Sequence, residues 1–294
     1  MNKFLKQIGV FGLGLLLFFG ANAAINYYLL KTDKLELGAV NTIILGDSHI
    51  EKGLDPELLP QARSFALTGE PYVLTFWKLK KFLESTSPDT IILGFSPQNI
   101  SAYNDIKFTD KFWSTEMFKR AYPIEEFDKA ENVPVDYLHY YKVLWKENSF
   151  FPRRYHRKYL GGYKTRNESH LNDFDKAIAR HYYNEEGEFI GLSTGAVAYL
   201  DSIVSFNQKK GLTTILLNTP VHAAYYQKIP AEVKQKYASL QQKYKNQPQV
   251  QVLDYSQNTY PDSLYLDADH LNSYGSRKFS QELRQQLYQK PAQN

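Results

Sequence analysis

Cysteine is absent from the 294 residues. That excludes a disulfide framework, a thiolate metal site and a cysteine nucleophile. It fits an oxidising compartment as well as a reducing one. Charge of one sign is also scarce. The net charge is only +4, too weak to point to nucleic acid, and no aromatic–basic motif of an RNA-binding module is present. The seven His residues lack ligand spacing, so neither a metal nor another cofactor is expected. Internal repeats and low-complexity tracts are missing as well. Aromatic residues, by contrast, are plentiful: 23 Tyr and 18 Phe. Such rings either enlarge a core or stand exposed, as they do where sugars or membranes are met. The length suits one large domain or two small ones.

The N-terminus carries the one long apolar run. No charge lies between Lys6 and Lys31. Those roughly 24 residues make a helix of about 36 Å, against a hydrocarbon core of about 30 Å. Two readings compete. One is a single-pass anchor. The other is a cleaved signal peptide, with Lys3 and Lys6 as its basic start and Ala21-Asn22-Ala23 as its cleavage site. The anchor is preferred because "INYYLL" prolongs the apolar run past that site, with Tyr where an interfacial belt places it. Both readings keep the basic end inside the inner (cytoplasmic) membrane of a bacterial cell and put the rest in the periplasm. The expected division is 1–31 for the tip and anchor, 32–40 for a polar linker, and 41–290 for one domain.

Within that domain strands and helices alternate. Asn41 to Leu45 is a short apolar strand ending at Gly46. Asp55 and Pro56 in "GLDPELL" offer an N-cap and a first helical residue. "RSFAL" is a second strand. "PYVLTFWKLKKFLES" repeats apolar residues at 72, 76, 79 and 83, a helical period. "DTIILGFS" is a third strand. The rhythm breaks in a Tyr-, Phe-, Lys- and Arg-rich insertion at about 103–190, expected over the C-terminal edge of the sheet. It then resumes with a helix closed by Gly211, strands in "LTTILLNTP" and "QVQVLDYS", and a last helix with Phe279, Leu283 and Leu287 on one stripe. Such alternation argues for an α/β fold: a parallel sheet covered by helices on both faces.

Ligands of an open α/β sheet bind beyond the carboxyl ends of its strands. Ser48 lies just past the first strand, in Gly46-Asp47-Ser48. A hydroxyl there needs a base before it attacks anything. His270, just before the last helix in "LYLDADHLNSYG", is the candidate base. Asp267, three residues earlier, can reach back to the same imidazole and leave its other nitrogen for the Ser48 hydroxyl. Asp269 is the second choice for that carboxylate.

These blocks, Gly46-Asp47-Ser48 and Asp267-Ala268-Asp269-His270, resemble those of the SGNH (GDSL-type) hydrolase superfamily. With "SFALTGE", "PDTIILGFSP" and "ILLNTPVHAAYY", the chain looks like that superfamily's membrane-anchored, cell-envelope branch over roughly 40–100 and 190–290. The resemblance implies a flavodoxin-like three-layer sandwich of about five parallel strands. It implies a Ser48–His270–Asp267 triad and an oxyanion hole made by the Ser48 and Gly69 N–H groups and an Asn side chain. The family's Gly-x-Asn-Asp block is missing. "GFSPQNIS" stands in its place, so Asn99, or less readily Gln98 or Ser96, is left as third donor. Asp47, His49, Gln98, His222 and Asn272 are further candidates for the pocket. The implied activity is an esterase or O-acyltransferase acting on acyl groups, acetyl foremost, of an envelope polysaccharide. A transferase would work beside a multi-pass membrane acyltransferase partner. The alternative is a catalytically silent, glycan-binding or scaffold protein.

A rival motif, Gly191-Leu192-Ser193-Thr194-Gly195, satisfies Gly-x-Ser-x-Gly, but no buried strand precedes it. Ser193 or Thr194 is instead expected to cap the next helix. The basic stretch "FFPRRYHRKYLGGYKTRN", Phe150 to Asn167, is either a solvated face or a contact for anionic lipid or anionic glycan.

Overall fold

The computed structural model describes residues 2–33, 35–124, 127, 130–150, 157–171 and 173–288. Five strands form one parallel sheet: β1 (Thr42–Leu45), β2 (Ala62–Ser64), β3 (Thr90–Gly94), β4 (Thr213–Asn218) and β5 (Val250–Asp254). Their order across the sheet is β2-β1-β3-β4-β5, the flavodoxin-like order. Eleven helices are described: α1 (Asn2–Thr32), α2 (Ser48–Gly53), α3 (Tyr72–Phe82), α4 (Tyr103–Ile106), α5 (Lys111–Ala121), α6 (Tyr137–Ser149), α7 (Phe174–Tyr182), α8 (Thr194–Lys209), α9 (Ala223–Lys228), α10 (Ala231–Lys245) and α11 (Ser273–Tyr288).

The strands read as unbroken apolar runs because both faces of the sheet are covered. Successive side chains point to opposite faces. Ile43, Leu45, Ile91 and Leu93 therefore meet α3, α8 and α10 on one side, while Ile44, Ile92, Ile215 and Leu217 meet Phe279 and Leu283 of α11 on the other. Two expected elements are shorter in the structure. "GLDPELL" makes only a 3-10 turn at Pro56–Leu58, capped by Asp55, and β2 ends before Phe65.

The aromatic-rich segment between β3 and α8 holds α4 to α7 and has its own ring cluster. Phe127 packs against Trp77, Phe108, Phe118 and Tyr140 with centroids 5.1–5.4 Å apart. Part of the excess aromatic content at this point is core, while Phe112, Tyr137, Tyr141 and Trp145 stand exposed.

α1 is long and apolar enough over Lys3–Leu30 to cross a membrane. Its second half docks on α6. The Phe19 ring lies 5.8 Å from Trp145 and 5.3 Å from Phe150, and the Asn26 amide donates to the Asn148 carbonyl at 2.7 Å. The residues after α1, expected as a polar linker, are partly buried. Leu35, Leu37 and Val40 are buried in the main core, and Arg157 makes a two-pronged ion pair with Asp33 (3.0 and 2.6 Å). Short apolar side chains in a polar stretch found core to enter.

Candidate active site

β1 delivers Ser48 to the carboxyl edge of the sheet. Gly46 is needed at the turn: its φ is +138°, and a Cβ there would sit 3.0 Å from the Gly94 nitrogen at the end of β3. Ser48 then opens α2, whose N-cap is Asp47. From the far end of the chain, the turn before α11 brings His270 to it. The Ser48 hydroxyl and His270 Nε2 are 2.8 Å apart. The Nδ1 of the same ring lies 2.8 and 3.1 Å from the two Asp267 carboxylate oxygens. With Asp267 accepting from Nδ1–H, Nε2 is left to accept from Ser48.

Asp267 also shapes the turn. Its Oδ1 accepts from the backbone N–H groups of His270 (3.0 Å) and Asp269 (3.2 Å). One carboxylate thus fixes both the backbone and the ring.

Gly69 follows β2, half-buried, with φ +71°. A Cβ there would meet the Trp113 ring at 3.0 Å, so glycine answers both a backbone and a packing demand. Beneath this loop lies a buried ion pair. Lys78 Nζ is 2.6 Å from Glu70 Oε2 and donates to the Phe65 carbonyl at 2.6 Å, while Thr75 Oγ1 donates to Glu70 Oε1. This pair ties α3 to the chain on both sides of the Leu67–Gly69 turn.

Asn99, the expected third oxyanion donor, is not among the residues lining the pocket over Ser48. Its amide donates to Asp47 Oδ2 at 2.8 Å, and its carbonyl oxygen accepts from the Ser96 N–H and hydroxyl. Asn99 clamps the loop after β3 to the loop after β1. Gln98 reaches the same Asp47 oxygen at 3.2 Å and lines the pocket. Asp47 is a structural anchor here. Burial opposes its charge, but His49, Lys107 and the hydrogen bonds from His49 and Gln98 hold its pKa below the usual carboxylate value.

The pocket over Ser48 has a volume of about 240 Å³. Besides the residues expected, Lys52, Tyr103, Lys107, Trp113, Arg180 and His181 line it. Lys107 is the most unusual of them. Its side chain is buried, donates to Asn104 Oδ1 at 2.9 Å and lies 4.3 Å from the Tyr103 ring centre. No carboxylate among the described residues comes within ion-pair distance of it. Burial pushes its pKa down to about 7, against the pull of Asp47 and with the push of Arg120 and Arg180.

Asp269 is buried and faces three imidazoles. His49 Nε2 is 3.1 Å away, His270 Nδ1 3.6 Å and His181 Nε2 3.9 Å. Burial opposes its ionisation, yet the His270 charge and the His49 bond hold its pKa well below normal. His181 is driven to about 3 by burial and is therefore neutral; its Nδ1 meets the Tyr225 hydroxyl at 2.7 Å. His49, Asp269 and His270 stand close enough to share a cation. Seating one there would displace the Ser48–His270 or the His49–Asp269 bond, so these donors work against each other as a metal site.

No family model and no curated protein matches the chain. Among solved structures it is similar to a protein of Streptococcus pneumoniae described as a candidate platelet activating factor. The identity is 14%, over 97% of this chain and 99% of that one, with a TM-score of 0.44. It is also similar to a candidate acylhydrolase from Bacteroides fragilis NCTC 9343. That identity is 13%, over 89% and 92% of the two chains, with a TM-score of 0.39. Both likenesses are too distant to bear on the chemistry.

Two candidates for the pocket stand outside it. His222 caps α9, accepting from the Ala224 N–H at 3.1 Å, and its own N–H donates to the Ala268 carbonyl. Asn272 opens α11 by accepting from the Tyr274 and Gly275 N–H groups. Short-range capping claimed both side chains. Ser193 likewise caps α8, accepting from the Ala196 N–H and donating to Asp105, as its sequence context predicts.

A larger groove of about 780 Å³ adjoins the pocket and shares Lys52, Thr68, Arg180 and Asp267 with it. Lys164 and Arg166, from the basic stretch, line this groove. Residues 151–156 of that stretch lie outside the described residues.

Proposed function

We propose that the chain is a membrane-anchored, serine-dependent acyl-transfer enzyme of the SGNH type. It acts outside the inner membrane as an esterase or O-acyltransferase on an envelope polysaccharide, with acetyl as the acyl group. The observation that carries this reading is the unbroken Ser48–His270–Asp267 hydrogen-bonded chain at the carboxyl edge of the sheet.

The steps follow from that chain. Ser48 Oγ attacks the acyl carbonyl carbon and its proton passes to His270 Nε2. Asp267 holds the ring and stabilises the imidazolium. The carbonyl π electrons move to oxygen, which takes hydrogen bonds from the Ser48 and Gly69 N–H groups. Lys107 replaces Asn99 as the third donor: it is a buried cation on the same pocket, and a negative charge there offsets its burial. His270 then protonates the leaving alkoxide. Water or a sugar hydroxyl resolves the acyl-enzyme by the reverse sequence. A pocket of about 240 Å³ suits a short acyl chain, and the adjoining groove offers room for a glycan. As a transferase the protein would receive its acyl group through a multi-pass membrane partner.

The test is release of p-nitrophenol from its acetate by the full chain in detergent, beside Ser48→Ala, with fluorophosphonate labelling in parallel. Activity and label should both vanish in the variant. Equal rates in the two proteins would instead favour a silent glycan-binding protein.

A further inference from the structure

α6 has two faces. Tyr140, Val143 and Glu147 are buried against the domain. The opposite face should then be polar, as it is on an ordinary surface helix. Instead it shows Leu138 at 68% exposure, Tyr141 at 58% and Trp145 at 55%. The spacing of three and four residues puts these on one stripe. Exposed Lys142 and Lys146 flank it.

This stripe runs into α1. Trp145 packs on Phe19, and Phe150 closes a three-ring contact with both, its centroid 5.3 Å from Phe19 and 5.1 Å from Trp145. Phe19 is about 24 Å up the helix from Lys3 at 1.5 Å per residue, inside a hydrocarbon layer about 30 Å thick. It is also eight residues, about 12 Å, below Tyr27, the expected interfacial ring, so whatever touches Phe19 is brought into the outer leaflet. Trp and Tyr favour the outer part of that leaflet, and Lys there can reach the headgroups. Apolar rings on one side with lysines beside them are the composition of a helix lying in the interface.

We infer that the Leu138–Tyr141–Trp145 face of α6 is seated in the outer leaflet and holds the catalytic domain against the bilayer. The inference rests on α1 as a membrane helix and does not depend on the acyl-transfer reading. The occupant is lipid, because the stripe is continuous with a helix that is itself lipid-facing. A second protein chain would have to leave that continuity unexplained.

The absence of cysteine makes the test clean. Single-cysteine variants Leu138→Cys and Tyr141→Cys of the full chain are labelled with an environment-sensitive fluorophore and reconstituted into phosphatidylcholine–phosphatidylglycerol vesicles. Phe11→Cys, within the span, and Lys236→Cys, exposed on α10, set the two limits. Doxyl groups on the lipid acyl chains should quench the 138 and 141 labels nearly as strongly as the label at 11. Quenching no stronger than at 236 overturns the inference. Shielding from iodide in water without quenching by lipid would also overturn it, since another protein would then cover the stripe. An unquenched label at 11 would instead overturn the membrane reading of α1, and this inference with it.

Discussion

The site is assembled from two unlike halves. One comes from the strand ends and the turn before α11: Ser48, Gly69, Asp267 and His270. In the proposed reaction it moves the proton and presents backbone donors. The other comes from the aromatic-rich segment: Tyr103, Lys107, Trp113, Arg180 and His181. It supplies charge, walls and depth. The first half is polar groups in a relay, each with a partner. The second is groups held by packing, among them a cation with no carboxylate of the described residues within ion-pair distance. Chemistry should fail by orders of magnitude when the first is broken, and by smaller steps when the second is.

Four substitutions probe that division. Ser48→Ala should lower kcat on the order of 10⁶-fold, as in a measured triad, with KM little changed. Asp267→Asn should cost about 10⁴-fold by favouring the wrong ring tautomer; pre-steady-state acylation rates would show it. Lys107→Met should cost about 10²–10³ in kcat, the worth of one oxyanion donor. It also has a pH signature. The useful form is the ammonium, and its pKa lies near 7 rather than the ordinary 10.5. Activity should therefore fall as pH rises through about 7, and that limb should disappear in the variant. Asp47, Tyr103, Arg120 and Arg180 surround this group, and none of them is altered. The smallest effect is expected at Asp269→Asn. It removes a second carboxylate 3.6 Å from His270 Nδ1, worth about tenfold or 1.4 kcal/mol. A loss at Asp269 as large as at Asp267 would erase the distinction between the two acids.

A fifth variant sharpens the comparison from outside the pocket. Lys78→Met strands Glu70 as an unpaired buried charge beneath the Gly69 loop. It should cost about 3–5 kcal/mol of stability in denaturant unfolding.

The first half was legible in the sequence because its residues follow strands, and parallel strands bring their carboxyl ends to one edge. Gly46-Asp47-Ser48 and Asp267–His270 are far apart in the chain but share that edge by topology. Strand order was implied by the same blocks. Asn99 also donates to Asp47, a partner some fifty residues earlier that no local pattern announces. Asp269 was given second place beside Asp267; the structure buries it against His49, a contact made only across the fold. The second half was illegible for a related reason. Lys107 sits in the turn after α4 and His181 in α7, neither in a motif, and they are positioned by the Tyr103 and Tyr225 rings. Their spacing carries no signal until those rings are packed.

The docking of α1 on α6 and the burial of Leu35, Leu37 and Val40 have a consequence for reach. A free coil of about nine residues would let the domain wander about 16 Å from the end of its helix. Packed as it is, the segment gives no such leash. With α1 as the proposed anchor, the pocket then has a fixed altitude over the lipid, and its search is confined to a plane. Under the proposed function, a glycan must be presented at that height to be modified. Lengthening the segment after Thr32 should change little unless the Asn26–Asn148 bond and the Phe19 contacts are cut as well.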